Sequence, residues 1–234
     1  MASKKRASDP SQTEQNVGEI LSRTDRFIDK YWRQILTGII AVILVVVGFV
    51  TFRHAYLVPR ERSAETAIFP GEHYFAGQQW SIALNGDSIG NYIGFEEIIS
   101  EYGGTKTANL AKAYAGICQY NLGDYEAALK YFKSYKTTGG LFAAEVQGMI
   151  GDCQVNLGHV KQGIDYFKKA ASKADNPTLS PIYLQKAAIA YESLKEYKSA
   201  LEIYNVIKKK YPDSQESKSI DKFIERAKTL SATN

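Results

Sequence analysis

Cysteine, histidine and proline are scarce in this 234-residue chain, which holds two, three and six of them. Two cysteines cannot make a disulfide framework, and a four-ligand zinc site would need the widely separated His54, His73 or His159. A large charge of one sign is missing too. The formal net charge of +4 on 26.1 kDa is too small to propose nucleic acid as the main partner. The chain also lacks a Gly-Lys-Ser phosphate loop, a dinucleotide fingerprint, a nucleophile elbow and a His-Glu-x-x-His pair. Asn85, Asp87 and Asn91 share a glycine-rich stretch but miss the spacing and terminal glutamate of a calcium loop. The expectation is a protein without catalytic residues, metal or cofactor. Enough is present for a core, since 44% of residues are hydrophobic, while the mean hydropathy of -0.29 is that of an ordinary soluble protein.

The average conceals one segment. Gln34 to Phe52 carries no charge, is bounded by Arg33 and Arg53, and is almost all Ile, Val and Leu at its centre. As a helix it would be about 28 Å long, close to a bilayer's hydrocarbon core. Tyr31, Trp32 and Tyr56 suit the interfacial belts. More than thirty residues precede the run and a bulky, basic stretch follows it, so an uncleaved anchor fits better than a signal peptide. Lys4, Lys5, Arg6, Arg23, Arg26, Lys30 and Arg33 precede it, against Arg53, Arg60 and Arg62 after it. The positive-inside rule then predicts a cytoplasmic N-terminus and a translocated C-terminal part. Gly38 and Gly48 are too far apart for a Gly-x-x-x-Gly contact, so pairing through the span is not indicated. Residues 1–13 read as a disordered tail and 14–33 as an amphipathic juxtamembrane helix. Its apolar stripe includes Ile20, Leu21, Phe27, Ile28, Tyr31 and Trp32, which would lie on lipid or dock on a membrane partner.

Beyond the span the chain repeats. Asn121-Leu122-Gly123 returns as Asn156-Leu157-Gly158, and at the same offset Gly116 answers Gly151 and Phe132 answers Phe167. A third copy places Ala188, Ala200 and Tyr204 at corresponding points. Small residues where helices cross and aromatics where they pack, at a period near thirty-four, resemble the tetratricopeptide repeat. The predicted fold is therefore all-α: one N-terminal transmembrane helix, then a tetratricopeptide-repeat α-solenoid. Residues 53–104 are expected to hold a linker and a degenerate first repeat, and 105–234 three regular repeats with a capping helix. Lys195 stands where the first two turns have glycine, which should weaken the third turn. Cys118 and Cys153 occupy equivalent places in adjacent repeats, too far apart to bridge, and are expected to be buried free thiols.

Repeat geometry places the first helix of each pair on an inner face. The groove would carry Ile117, Tyr120, Asn121, Glu145, Asp152, Val155, Asn156, Gln185, Ile189 and Glu192. None of these is Lys or Arg, which argues against a basic clamp for a terminal carboxylate. A mixed apolar, mildly acidic groove for a polypeptide is expected instead.

The layout as a whole resembles the YfgM-like family of ancillary translocon subunits. The resemblance rests on Asp25-Arg26-Phe27-Ile28-Asp29-Lys30 before one anchor, and on FEEIISEYGGTKTANLAKAYAGICQYNLGDYEAAL, similar to members from Bacteroidota. It implies a single-pass protein of the bacterial inner membrane with its repeats in the periplasm. It further implies association with the SecYEG translocon and a PpiD-like periplasmic chaperone, acting on emerging secretory polypeptides. No catalytic residue is implied. The alternative is an envelope-assembly adaptor that recruits folded periplasmic partners without any link to translocation.

Overall fold

The structure, a computed structural model, describes residues 10–137 and 139–233, with side chains from Tyr31 onward. It forms two compact units, residues 1–59 and 60–234.

The first unit is dominated by α1, Pro10–Phe52, followed by a π-helical stretch at Arg53–Leu57. The expected disordered tail lies outside the described residues up to Asp9, but its last residues, from Pro10, are helical. The juxtamembrane and apolar segments form one helix rather than two. No proline or glycine pair interrupts residues 11–52, so the backbone ladder has no reason to break. Between Ile35 and Phe52 the large apolar side chains are exposed, and none of the most apolar window is buried. A core helix of a soluble protein would be covered. This one is long and apolar enough to cross a membrane.

The second unit, from Arg60, takes in most of α2, Val58–Ala76, within the segment where a linker and a degenerate first repeat were expected. Pro59 follows directly on the π-helical stretch, whose wider turn accommodates a residue without an N–H, and Pro70 lies inside the helix. Short helices α3, Trp80–Asn85, and α4, Gly94–Glu101, complete an irregular first unit. Ile68, Leu84, Phe95 and Ile98 are buried there against Ala111, Ala115 and Cys118 of α5, Lys106–Leu122. The Phe75 ring lies 4.8 Å from Tyr114, and Phe95 stacks on Tyr114 at 5.1 Å. The glycine-rich loop is a closed turn: Asp87 and Tyr92 exchange backbone hydrogen bonds, and Tyr74 Oη donates to Asp87 Oδ2 at 2.6 Å. Asp87 is thus occupied: the Tyr74 hydroxyl of α2 first, and then the Ile89 and Gly90 N–H groups of its own loop, hold its carboxyl below the usual range.

Glu61 ties α2 to the regular repeats. Its carboxylate accepts the Lys106 N–H, the Thr107 N–H and the Thr107 hydroxyl, each at 2.8 Å. These donors belong to the first turn of α5, whose unpaired N–H groups and positive dipole end favour an anion. Burial pushes the Glu61 pKa up, but the three hydrogen bonds and the Lys106 charge outweigh it and leave it lowered.

Three helix pairs follow: α5 with α6, Tyr125–Ser134; α7, Gly140–Asn156, with α8, Val160–Ala174; and α9, Leu179–Ser193, with α10, Tyr197–Lys210. In each pair an aromatic of the second helix lies on a small residue of the first. A Cβ on Gly116 would meet the Phe132 ring at 2.7 Å, and one on Gly151 the Phe167 ring at 2.6 Å. Ala188 and Tyr204, both fully buried, share the third core. Gly148 is a further small position, where a Cβ would come within 2.2 Å of the Tyr183 ring of α9. The stack ends in α11, Ile220–Thr233, which buries Ile220, Ile224 and Ala227 against α10. That is the cap a repeat array requires.

Gly123 and Gly158 adopt left-handed φ values of 88° and 81°, and Lys195 takes the same region at 60°. A side chain in that region is strained. Lys195→Gly is therefore expected to stabilise the protein by about 0.5–1 kcal/mol. Gly151→Val, forced into Phe167, should destabilise it by about 1–3 kcal/mol. Chemical denaturation followed by circular dichroism measures both; no loss for Gly151→Val would contradict the close helix crossing.

Candidate protein-binding face

The first helices of successive repeats stand side by side, and side chains join each to the next. Asn156 Nδ2 donates to Tyr120 Oη at 3.4 Å, linking α7 to α5. Lys186 Nζ lies 2.7 and 2.9 Å from the Asp152 carboxylate oxygens, linking α9 to α7. Arg226 Nη2 reaches Glu192 Oε2 at 2.5 Å, linking the cap to α9. The Glu192 carboxylate also accepts the Tyr204 hydroxyl at 3.1 Å.

This geometry alters the roles of the ten residues expected to line the groove. Glu145, Asn121, Asn156 and Ile189 are solvent-exposed, Ile189 at 46%. Gln185 is half-buried. Asn121 and Asn156 each bend back to the carbonyl four residues earlier, Ile117 and Asp152. Ile117 and Tyr120 pack partly into the core between α6 and α7. Val155 turns away from the groove: a Cβ on Gly163 of α8 would meet its Cγ2 at 2.5 Å. Small residues on the partner helix draw Val155 into the pair, because packing an apolar branch there removes it from water.

Of the three carboxylates among those ten positions, Glu145 is exposed and the other two are paired with cations from outside the set. Lys186 enters between Asp152 and the Phe167 ring, 5.7 Å from the ring centroid. Burial pushes the Asp152 pKa up, and the Lys186 bond and charge oppose it without reversing the shift. Arg226 performs the corresponding role for Glu192. The sequence signal available for both pairs is a separation of 34, one repeat length, between opposite charges. Such a spacing is common by chance in a repeat protein. The result is a face of exposed amides, one aliphatic side chain, the exposed Glu145 and two internally matched carboxylates, suited to main-chain hydrogen bonding and apolar contact rather than to strong charge recognition.

Of the membrane-proximal stripe, Ile20, Leu21, Phe27 and Ile28 lie outside the residues whose side chains are described. Trp32 is exposed, with the Arg33 guanidinium 5.6 Å over its ring, and Tyr31 is half-buried. The two cysteines are free and fully buried, and burial pushes both thiols up to about 12. Among the described residues no three His, Cys, Asp or Glu side chains converge as a metal site would require.

Residues 114–138 and 183–214 match one tetratricopeptide repeat family model, and residues 144–172 match a second. All ten groove positions fall inside these segments. The chain carries tetratricopeptide repeats, modules that mediate protein–protein contact and typically serve as non-enzymatic scaffolds. No curated protein matches the chain.

Two outcomes follow from the buried groups. Lys186→Met leaves Asp152 without its partner and should cost about 1–3 kcal/mol at pH 7. The folded-state pKa of Asp152 lies above its unfolded value, so the folded protein takes up a proton first as pH falls. The penalty in Lys186→Met should therefore shrink as pH drops from neutral through that folded pKa. Denaturant titrations at several pH values test this; a penalty that grows with acidity would refute it. The native protein should also resist a thiol-specific chromogenic reagent, with two thiols reacting only after unfolding.

Proposed function

We propose that the protein is a membrane-anchored, non-enzymatic adaptor that holds its tetratricopeptide repeats beside a protein-translocating channel. The observation that carries this reading is the combination of an uncovered apolar helix and a repeat array in one chain. An apolar helix of this length that no described residue covers has a natural solvent in lipid. Seven basic residues ahead of the apolar run favour a cytoplasmic N-terminus, which would put the repeats on the opposite side of a bacterial inner membrane.

The resemblance to the YfgM-like family supplies the finer identity of the partners: the SecYEG channel, a PpiD-like chaperone and emerging secretory polypeptides. The α1 helix would provide the membrane contact, through lipid and through the stripe ending at Tyr31 and Trp32. The exposed groove positions Asn121, Asn156 and Ile189 would meet the polypeptide. Charge pairing inside the groove suits a partner of variable sequence, since a matched charge demands no specific counterpart.

Affinity purification of the full chain from gently solubilised membranes is expected to recover Sec channel components. Photocrosslinkers at Ile189 and Asn156 are expected to trap a spread of unfolded secretory chains. Consistent absence of channel components would sink the translocon reading. A single folded envelope protein at both positions would support the envelope-assembly adaptor in its place.

A further inference from the structure

Two clefts lie together at one edge of the repeat array, and they share Tyr135. The first, about 550 Å³, is lined by the N-terminal part of α5 and the end of α6, with Lys106, Lys112 and Lys136 around it. The second, about 330 Å³, lies between α6, α7 and α8, with Lys133 and Lys169 on its rim and Tyr166 in its wall. Among the described residues, no Asp or Glu lines either cleft. The chain as a whole has 25 acidic residues against 29 basic ones, so this separation of sign is local and pronounced.

Helix-end electrostatics do not account for it. Lys133 does sit in the last turn of α6, where a cation is favoured. Lys106 opens α5 at its positive end, Lys112 is mid-helix, and Lys169 lies more than a turn before the end of α8. Nor does the fold answer these charges with ion pairs. Among the described residues, the ion pairs of the second unit use Lys161, Lys186, Lys208, Lys210, Arg226 and Lys228, and none of the cleft lysines joins them. Glu61, the carboxylate beside Lys106, is taken up by the N–H groups that begin α5. The contrast with the groove is direct: there two carboxylates are matched by cations, and here the described cations form no ion pair.

We infer that this edge is a second binding surface, and that its occupant is an acidic polypeptide segment carrying aromatic or aliphatic side chains. Charge complementarity favours an anion, because five lysines gather around clefts that no Asp or Glu lines. The shape selects a polypeptide over an anionic bilayer. The tyrosines lie in recesses that an extended chain can enter and a planar headgroup layer cannot. Tyr135 packs edge-on to Phe142 at 5.6 Å, and Lys169 sits 5.0 Å over the Tyr166 ring, so the recess offers apolar wall and cation together. The surface is distinct from the groove, and its occupancy does not depend on the translocon reading.

The test uses the full chain in phosphatidylcholine nanodiscs and a fluorescein-labelled twelve-residue peptide of alternating Glu and Phe. Fluorescence anisotropy should show saturable binding that weakens as salt rises. Lys133→Glu with Lys169→Glu should weaken it by about tenfold or more, whereas Ile189→Ser in the groove should leave it unchanged. Both lysines are exposed, so the variant is expected to keep the wild-type circular dichroism and melting temperature. A matched Lys/Phe peptide should not bind. Absence of saturable binding, or equal binding by the double variant, would overturn the proposal. So would tight association with phosphatidylglycerol vesicles, lost in the double variant, in the absence of peptide binding, since the edge would then serve lipid.

Discussion

Each repeat depends on one contact: an aromatic ring seated on a helix position that has almost no side chain. Phe132 on Gly116 and Phe167 on Gly151 bring the paired helices close enough for a ring to span the gap. Tyr204 with Ala188 plays the same part in the third pair, and its hydroxyl continues outward to Glu192. A close-packed interior tolerates neither a void nor an added methyl group. The ring therefore sets the separation and rotation of the two helices together. Which residues of the first helices remain on the open face, and which residues of α6 and α8 frame the edge clefts, are consequences of that rotation.

Given that frame, the polar side chains divide into two populations. Between first helices, opposite charges one repeat apart come within bonding distance because the stacked pairs are nearly equivalent in orientation. Asp152 with Lys186 and Glu192 with Arg226 are both of this kind, and both pin one repeat to the next. Each carboxylate is largely withdrawn from water, so the pair also specifies register: a slipped repeat would leave a charge without its partner. At the edge the same stacking brings lysines alongside one another with no carboxylate lining the clefts between them. One fold thus presents a charge-matched face and a basic rim, and the difference lies in a few side chains rather than in the backbone.

The regular part of this architecture was legible in the residues, because in the first two pairs a thirty-five-residue offset repeats both the glycine under the ring and the glycine of the turn. The cap was legible from the apolar stripe Ile220, Phe223, Ile224 and Ala227. Legibility failed where the deciding quantity was a rotation about a helix axis. Val155 and Ile189 both look like open-face residues in a periodic pattern, yet a modest rotation sends one against Gly163 and leaves the other in solvent. The charge pairing inside the groove was hidden for a related reason. A list of positions on one helix omits what arrives from its neighbours, and each neutralising cation belongs to a later helix than its carboxylate.

The same small-residue contact also explains how the chain divides its hydrophobic residues. Pairs packed through glycine, alanine and one aromatic need few large aliphatic side chains, and the cores of the repeats are rich in alanine: Ala111, Ala115, Ala128, Ala144, Ala170, Ala187 and Ala200 are all fully buried. Large aliphatic side chains are instead concentrated between Ile35 and Val50, where nothing among the described residues covers them. A soluble domain built on close approach can be stable while remaining polar on average. A segment built on Ile, Val and Leu without close approach needs its apolar surroundings from outside. The modest mean hydropathy is the sum of these two opposite solutions, and the boundary between them falls between the basic residues Arg53 and Arg60, where one unit ends and the next begins.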